Sequence, residues 1–199
     1  VEEQKSFLRK RAKAALKEYC SDLPLMEQTA KSVVTSVTNS DEYKNATMIL
    51  GFMPMNDEVD IVPLMKQALK DKKKVAVPKM AKSGNDMDFY LIDDFDGDFT
   101  SDNKYNIREP SENCTKLSPD QIPSDALIFV PGLVFNLEGA RLGRGKGYYD
   151  KYLARVPDRD KRIVCGVCFT ICVTKAVPVE KNDVRVNYLL NEYGFIPLR

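Results

Sequence analysis

The chain has 199 residues, 43% apolar and 30% charged, a balance that suits one compact unit able to fold without covalent staples and excludes a disordered or fibrous chain. Thirty Lys and Arg against 29 Asp and Glu leave a net charge of +1, so no overall field exists to hold nucleic acid or an anionic membrane, and any anion site has to be local. The absence of histidine removes the Ser-His-Asp triad, the HExxH zinc site and every imidazole base, leaving Lys, Arg, Asp, Glu, Tyr and Cys to carry chemistry.

Phe7, Leu8, Ala12, Ala15, Leu16 and Tyr19 recur at helical spacing and predict a first helix between Glu2 and Cys20. The acids Glu2, Glu3 and Glu18 fit poorly with an organelle transit peptide, so this segment reads as structural. Leu25, Met26, Val33, Val34 and Val37 predict a second helix. Thr47 to Met53 reads as a strand, Asn56-Asp57-Glu58 as a polar break, and Leu64, Met65, Ala68 and Leu69 as a third helix. Val75 to Val77, ending before Pro78, and Asp88 to Ile92 predict two more strands joined by a turn at Ser83-Gly84-Asn85-Asp86.

From Asp93 to Ser124 the chain is rich in Asp, Asn, Ser and Pro and predicts a long surface excursion within one domain, residues 1–199, with little regular structure. Ala126 to Val130 reads as a buried strand, Tyr148 to Val156 as a helix with Tyr149, Tyr152, Leu153 and Val156 on one face, and Ile163 to Phe169 as another strand. The alternation implies an α/β fold, a single three-layer domain in which a mostly parallel mixed sheet carries helices on both faces.

Five cysteines at irregular spacing, without a signal-peptide pattern, point to reduced thiols and a cytoplasmic setting. Cys165, Cys168 and Cys172 have a spacing that invites zinc or an iron-sulfur cluster, but a strand would turn the first two to opposite faces. Buried, reduced cysteines are the expectation. No apolar run approaches the roughly 20 residues that a membrane helix needs.

The informative stretch runs from Pro131 to Asp150, leaving a buried strand and opening a helix. Gly143, Gly145 and Gly147 let backbone N–H groups turn toward one point at a helix start, and Arg141, Arg144 and Lys146 add three charges. That combination suits a polyphosphate beyond the carboxyl end of a sheet strand; the plainer alternative is a tight turn with solvated basic residues. The loop is not a Walker A sequence, since Gly147 stands where Ser or Thr would ligate magnesium, and Tyr148 occupies the third-glycine position of a dinucleotide fingerprint. Carboxylates for a metal would have to come from elsewhere, Asp150 and Asp183 being the nearest candidates.

The segment PGLVFNLEGARLGRGKGYYD resembles the signature of the 5-formyltetrahydrofolate cyclo-ligase family, close to PGxxFDxxGxRLGxGxGYYD. The resemblance extends through Lys5 to Arg9, Asn56-Asp57-Glu58, Val77-Pro78-Lys79, Met87-Asp88-Phe89, Arg108-Glu109-Pro110 and Pro178 to Asp183. It implies ATP-dependent cyclisation of 5-formyltetrahydrofolate to 5,10-methenyltetrahydrofolate, with ATP and Mg2+ required and no nucleic acid, membrane or second subunit. Carried over residue by residue, it has Lys5, Arg9, Arg141, Leu142, Gly143, Arg144, Gly145, Lys146, Gly147, Tyr148 and Tyr149 bind ATP. Lys146 and Arg144 would stabilise transition-state charge, Met53, Glu58 and Tyr148 would hold the folate, and Asp150 and Asp183 the metal. The chain departs from the family at Asn136 and Asn187, where Asp is usual, and at Cys172, where Gln is common. Those departures motivate the alternative of a non-catalytic folate- or nucleotide-binding paralogue. A kinase or ligase acting on another small substrate through the same loop is a second alternative.

Overall fold

Helix α1 (Glu2–Tyr19) shows where periodicity and packing part company. Of the positions that apolar spacing places inward, Leu16 is buried and Leu8, Ala12 and Tyr19 pack against the core, but Lys5 is buried beside them while Phe7 is 60% exposed and lies beneath the Arg11 guanidinium. The inward face therefore carries a lysine into the protein, which the carboxylates described below make tolerable. Asp22 caps α2 (Leu23–Thr38) by accepting a hydrogen bond from Leu25 N at 3.0 Å, with Pro24 in the first turn, where its missing N–H costs nothing. Ser40 caps α3 (Asp41–Asn45), a short helix that its mostly polar sequence does not announce.

The computed structural model describes residues 1–81, 84, 86–100 and 108–198. Next in the chain come β1 (Met48–Leu50), α4 (Val62–Lys70), β2 (Lys74–Met80) and β3 (Met87–Ile92). Strand β1 is shorter than the apolar run suggests, whereas β2 continues through Pro78. The proline is tolerated because β2 pairs with β1 only over Lys74 to Ala76, so Pro78 has β3 alone as its partner. Ser83 and Asn85 of the predicted turn lie outside the described residues.

The polar excursion, apart from residues 101–107, which lie outside the described residues, contains three two-residue strands: β4 (Phe99–Thr100), β5 (Glu109–Pro110) and β6 (Lys116–Leu117). It is pinned by Phe95, Leu117 and Ile122, which are buried. Then follow β7 (Leu127–Pro131), the hairpin of β8 (Val134–Phe135) and β9 (Arg141–Leu142), α5 (Tyr148–Ala154), β10 (Ile163–Val167), β11 (Tyr188–Asn191) and β12 (Gly194–Pro197).

Eight strands form the main sheet in the order β12-β11-β10-β7-β1-β2-β3-β6. The five central strands, β11 to β2, are parallel, and antiparallel partners flank them: β12 on one side, β3 and β6 on the other. Consecutive residues of β1, β7 and β10 are buried although their side chains point to opposite sides, so both faces of the sheet are covered, as an α/β fold requires. Helix α2 packs on α4, β11 and β12, and α5 on β3. One apolar cluster runs from Leu16 to Leu190. Among the described residues no helix is long and apolar enough to cross a membrane.

From β1 the chain winds outward through β2 and β3, and from β7 it winds the other way through β10 and β11. The order thus reverses between β1 and β7, and the loops leaving their carboxyl ends diverge and open a crevice there. The β8–β9 hairpin forms one wall. Gly132 and Gly166 leave room for the Phe135 ring, which an added Cβ would approach to 2.6 and 2.3 Å respectively, and this seats the hairpin on β7 and β10.

Candidate active site

The crevice holds a cavity of about 570 Å3, bounded by the segments after β1 and β7, by α1 and by the loop from Gly143 to Gly147. Every residue that the sequence reading nominates lines it: Lys5, Arg9, Met53, Glu58, the run Arg141 to Tyr149, Asp150 and Asp183. The cavity has two kinds of lining. Met53, Met55, Met80, Met87 and Pro78 give it an apolar part, while charged groups converge at the glycine loop.

Gly145 (φ +102°) and Gly147 (φ +69°) occupy left-handed backbone, which only glycine adopts without penalty. Among the described residues, none of the N–H groups from Gly143 to Gly147 has a partner within the chain. Such a run of unpaired donors suits an anion's oxygens. Helix α5 has only seven residues, so the loop donors and side chains, rather than a long helix dipole, supply the positive end.

The loop is braced from below and beside. The Arg141 side chain, buried in the hairpin, donates to Pro131 O at 3.2 Å and to Asp150 Oδ2 at 2.9 Å, with its guanidinium 5.7 Å from the Tyr149 ring. Asp150 Oδ1 in turn accepts from Val184 N at 3.0 Å, which ties α5 to the segment after β10. Burial raises the pKa of Tyr149, and it stays a neutral phenol. From α1, Arg9 donates to Gly143 O at 3.1 Å and to Glu2 at 2.7 Å. Lys5 Nζ donates to Asp183 Oδ2 at 2.6 Å and Glu180 Oε2 at 2.9 Å. Burial pulls the Lys5 pKa down, but the two carboxylates outweigh it and hold it above the ordinary lysine range.

Lys146 is different. It is exposed and makes no ion pair among the described residues, so its ammonium is uncommitted at the mouth of the cavity. Arg144 instead reaches across the mouth, where its Nη2 contacts Asp57 and its Nε and Nη2 lie 3.3 and 3.2 Å from Glu58 Oε1. Glu58 Oε2 accepts from Met55 N at 2.9 Å. Burial raises the Glu58 pKa, an effect that the Met55 N–H and Arg144 only partly offset.

Sequence reasoning did not give site roles to Asp57, Met55, Met80, Met87, Arg108, Glu109, Glu2 or Glu180. Several sit inside short segments that carry the family resemblance, yet only the fold shows that these converge. Two of the three departures, Asn136 and Asn187, have side-chain hydrogen-bond partners, and the third, Cys172, is a buried thiol. Asn136 Oδ1 accepts from Glu138 N and Ala140 N at 3.1 and 2.8 Å inside the hairpin turn. Asn187 accepts from Val164 N at 2.8 Å and donates to Arg162 O at 2.6 Å, a pairing that needs an amide rather than a carboxylate. Cys165, Cys168 and Cys172 are buried free thiols, the last with its pKa pushed up to about 12 by burial.

Comparisons with known proteins give the chain relatives of one kind. The mouse 5-formyltetrahydrofolate cyclo-ligase is 30% identical over 185 residues, covering 90% of this chain and 91% of the mouse protein. A probable 5-formyltetrahydrofolate cyclo-ligase of Schizosaccharomyces pombe is 28% identical, covering 83% and 85%. The NMR structure of Aquifex aeolicus 5,10-methenyltetrahydrofolate synthetase superposes with a TM-score of 0.79 at 29% identity, over 98% of this chain and 93% of that one. A family model described as the 5-formyltetrahydrofolate cyclo-ligase family matches residues 1–192, across the crevice and every strand of the main sheet but β12, and on that match the chain belongs to the 5-formyltetrahydrofolate cyclo-ligase family.

Proposed function

We propose that the chain is an ATP-dependent enzyme converting 5-formyltetrahydrofolate to 5,10-methenyltetrahydrofolate, with ADP and phosphate as the other products. The observation that carries this reading is the cavity itself. One crevice joins an apolar slot ending on a buried carboxylate, Glu58, to a loop of unpaired N–H groups beside an uncommitted lysine. The carboxylate can accept the paired N–H donors of a pterin edge, Met53 and Tyr148 can flank its ring, and the loop can hold a polyphosphate.

In this reaction the formyl oxygen attacks the γ-phosphorus and ADP departs. The 10-nitrogen then attacks the activated formyl carbon, the C–O bond breaks, phosphate leaves, and the nitrogen's proton passes to solvent. Such chemistry asks a protein for alignment and charge neutralisation rather than for a histidine base. Lys146, which has no ion pair among the described residues, would follow negative charge onto the transferred phosphoryl, and Arg144 would join it once it leaves Glu58 and Asp57. Arg9 and Arg141 hold the loop, through Gly143 O and through Pro131 O with Asp150.

Magnesium fits the donor set. At the phosphate end Lys5, Arg9, Arg141 and Lys146 face Glu2, Asp150, Glu180 and Asp183, four cations against four carboxylates, so a polyphosphate has to bring compensating charge with it. Among the described residues no cluster of three or more ligating side chains exists. One or two carboxylates are what Mg2+ takes from a protein when phosphates and water complete its shell, and Asp150 and Asp183 would hold it. The ion would screen the phosphates and favour attack at phosphorus. A cytoplasmic setting without nucleic-acid contacts fits five free thiols and a net charge of +1.

The test is absorbance in the methenyl-folate band with purified protein, 5-formyltetrahydrofolate and Mg2+, with and without ATP. An ATP-dependent rise, reduced by about 100-fold or more in Lys146→Ala, is the expected result. No rise in the parent protein, with both substrates shown to bind, overturns the reading in favour of a non-catalytic relative.

A further inference from the structure

Arg144 belongs to the glycine loop yet spends its hydrogen bonds on the opposite wall. Counting acceptor sites on Glu58 shows why this matters. A carboxylate offers about four lone-pair positions, two on each oxygen. Arg144 Nε and Nη2 lie 3.3 and 3.2 Å from Oε1, and Met55 N is 2.9 Å from Oε2. Only one position, on Oε2, is left. A donor pair that straddles a carboxylate needs one position on each oxygen, so Arg144 must give up at least one contact before such a pair can bind. The adjacent Asp57 also contacts Nη2 and so adds its own hold to the arrangement in which Arg144 covers Glu58. Asp57 itself is partly exposed, with a side-chain exposure of 28%, and has no other hydrogen bond or ion pair among the described residues.

Resting on the function proposed above, we infer that Asp57 is a positioning residue that parks Arg144 away from the phosphate loop and thereby makes the two substrates bind cooperatively. With the crevice empty, two carboxylates hold the guanidinium. Because the two grips reinforce one another, the parked state is lost when the pterin edge takes Glu58, and Arg144 swings on its glycine-flanked loop toward a phosphoryl group. Linkage makes the effect reciprocal: a nucleotide that draws Arg144 inward unblocks Glu58 for the folate. Each substrate bound alone has to displace the parked state, which lowers its apparent affinity by the fraction of chains with Arg144 released. A further consequence is that phosphoryl transfer to water is suppressed until the folate is present.

Asp57→Asn in the full chain separates this from a structural role. In the parent, a non-hydrolysable ATP analogue with Mg2+ should tighten 5-formyltetrahydrofolate binding by a factor in the range of about 5–150. In Asp57→Asn that factor should shrink severalfold. Each ligand alone should bind more tightly than to the parent, and ADP release without folate should rise. Simple structural damage would weaken binding, and a general loss of negative charge would tighten the analogue equally with and without folate, leaving the factor unchanged. Asp57→Glu should restore the cooperativity. Equal folate affinity with and without the analogue in the parent, or an unchanged factor in Asp57→Asn, overturns the inference. Absence of methenyl product in the parent would instead remove the function on which it rests, so the two failures are distinguishable.

Discussion

Glu58 is a carboxylate that the fold keeps at a cost. Because burial raises its folded pKa, its contribution to stability is fully present below the ordinary value of 4.5 and is lost as pH rises through the raised folded value. Glu58→Gln removes that titration. The stability of the variant relative to the parent should therefore improve as pH rises through this window, measured by urea unfolding from pH 4 to pH 7.5. A difference independent of pH, or one of opposite slope, would contradict it. The same variant should raise KM for the folate by about tenfold or more, since a buried hydrogen-bond set to an ionised partner is worth roughly 1.5–3 kcal/mol.

At the scale of elements, the β8–β9 hairpin carries the loop and its turn is fixed from outside. Gly139 adopts φ +80°, its carbonyl accepts from Val186 N at 2.9 Å, and an added Cβ would stand 2.0 Å from Val186 O. Gly139→Ala should cost at least about 2 kcal/mol, because left-handed strain and a clash with backbone act together. Thermal unfolding would show it, and a melting temperature equal to the parent's would refute this account. The alternating elements of the sheet and the glycine loop were legible in the sequence because burial on both faces and turn chemistry leave local marks. The hairpin was not, since two-residue strands have no period to detect. Nor was the place of Lys5, which joins the expected Leu8, Ala12, Leu16 and Tyr19 on the inward face of α1 while Phe7 stands outside. Its reason for being inside, the carboxylates of Glu180 and Asp183, lies far away in the chain. For the same reason Asp57 could be seen as a polar break but not as the partner of Arg144.

For the whole molecule, the cavity is closed by contacts between opposite ends of the chain. Helix α1 is joined to the segment after β10 through Lys5, and through Tyr19 to Glu192 at 2.7 Å. Glu192 also accepts from Thr170 N and its hydroxyl, so one carboxylate gathers α1 and the turn after β10. Lys5→Met should loosen this closure. Asp183 and Glu180 would lose a cation that is itself buried, at a cost of about 1–3 kcal/mol, or roughly 2–10 °C in melting temperature for a chain of this size. ATP with Mg2+ should then raise the melting temperature less than it does in the parent. An undiminished ligand-induced shift would place Lys5 outside the phosphate subsite.

The Lys5 to Asp183 contact also sets a timetable for synthesis. The partners are separated by 178 positions, so at roughly 5–20 residues per second a ribosome needs on the order of 10–35 s to deliver the second after the first. Through nearly all of that interval α1 is present with its lysine unpaired. The glycine loop and Lys146 are made well before Glu180 and Asp183, so the lysine of α1 is the part of the phosphate end that waits longest for its partners.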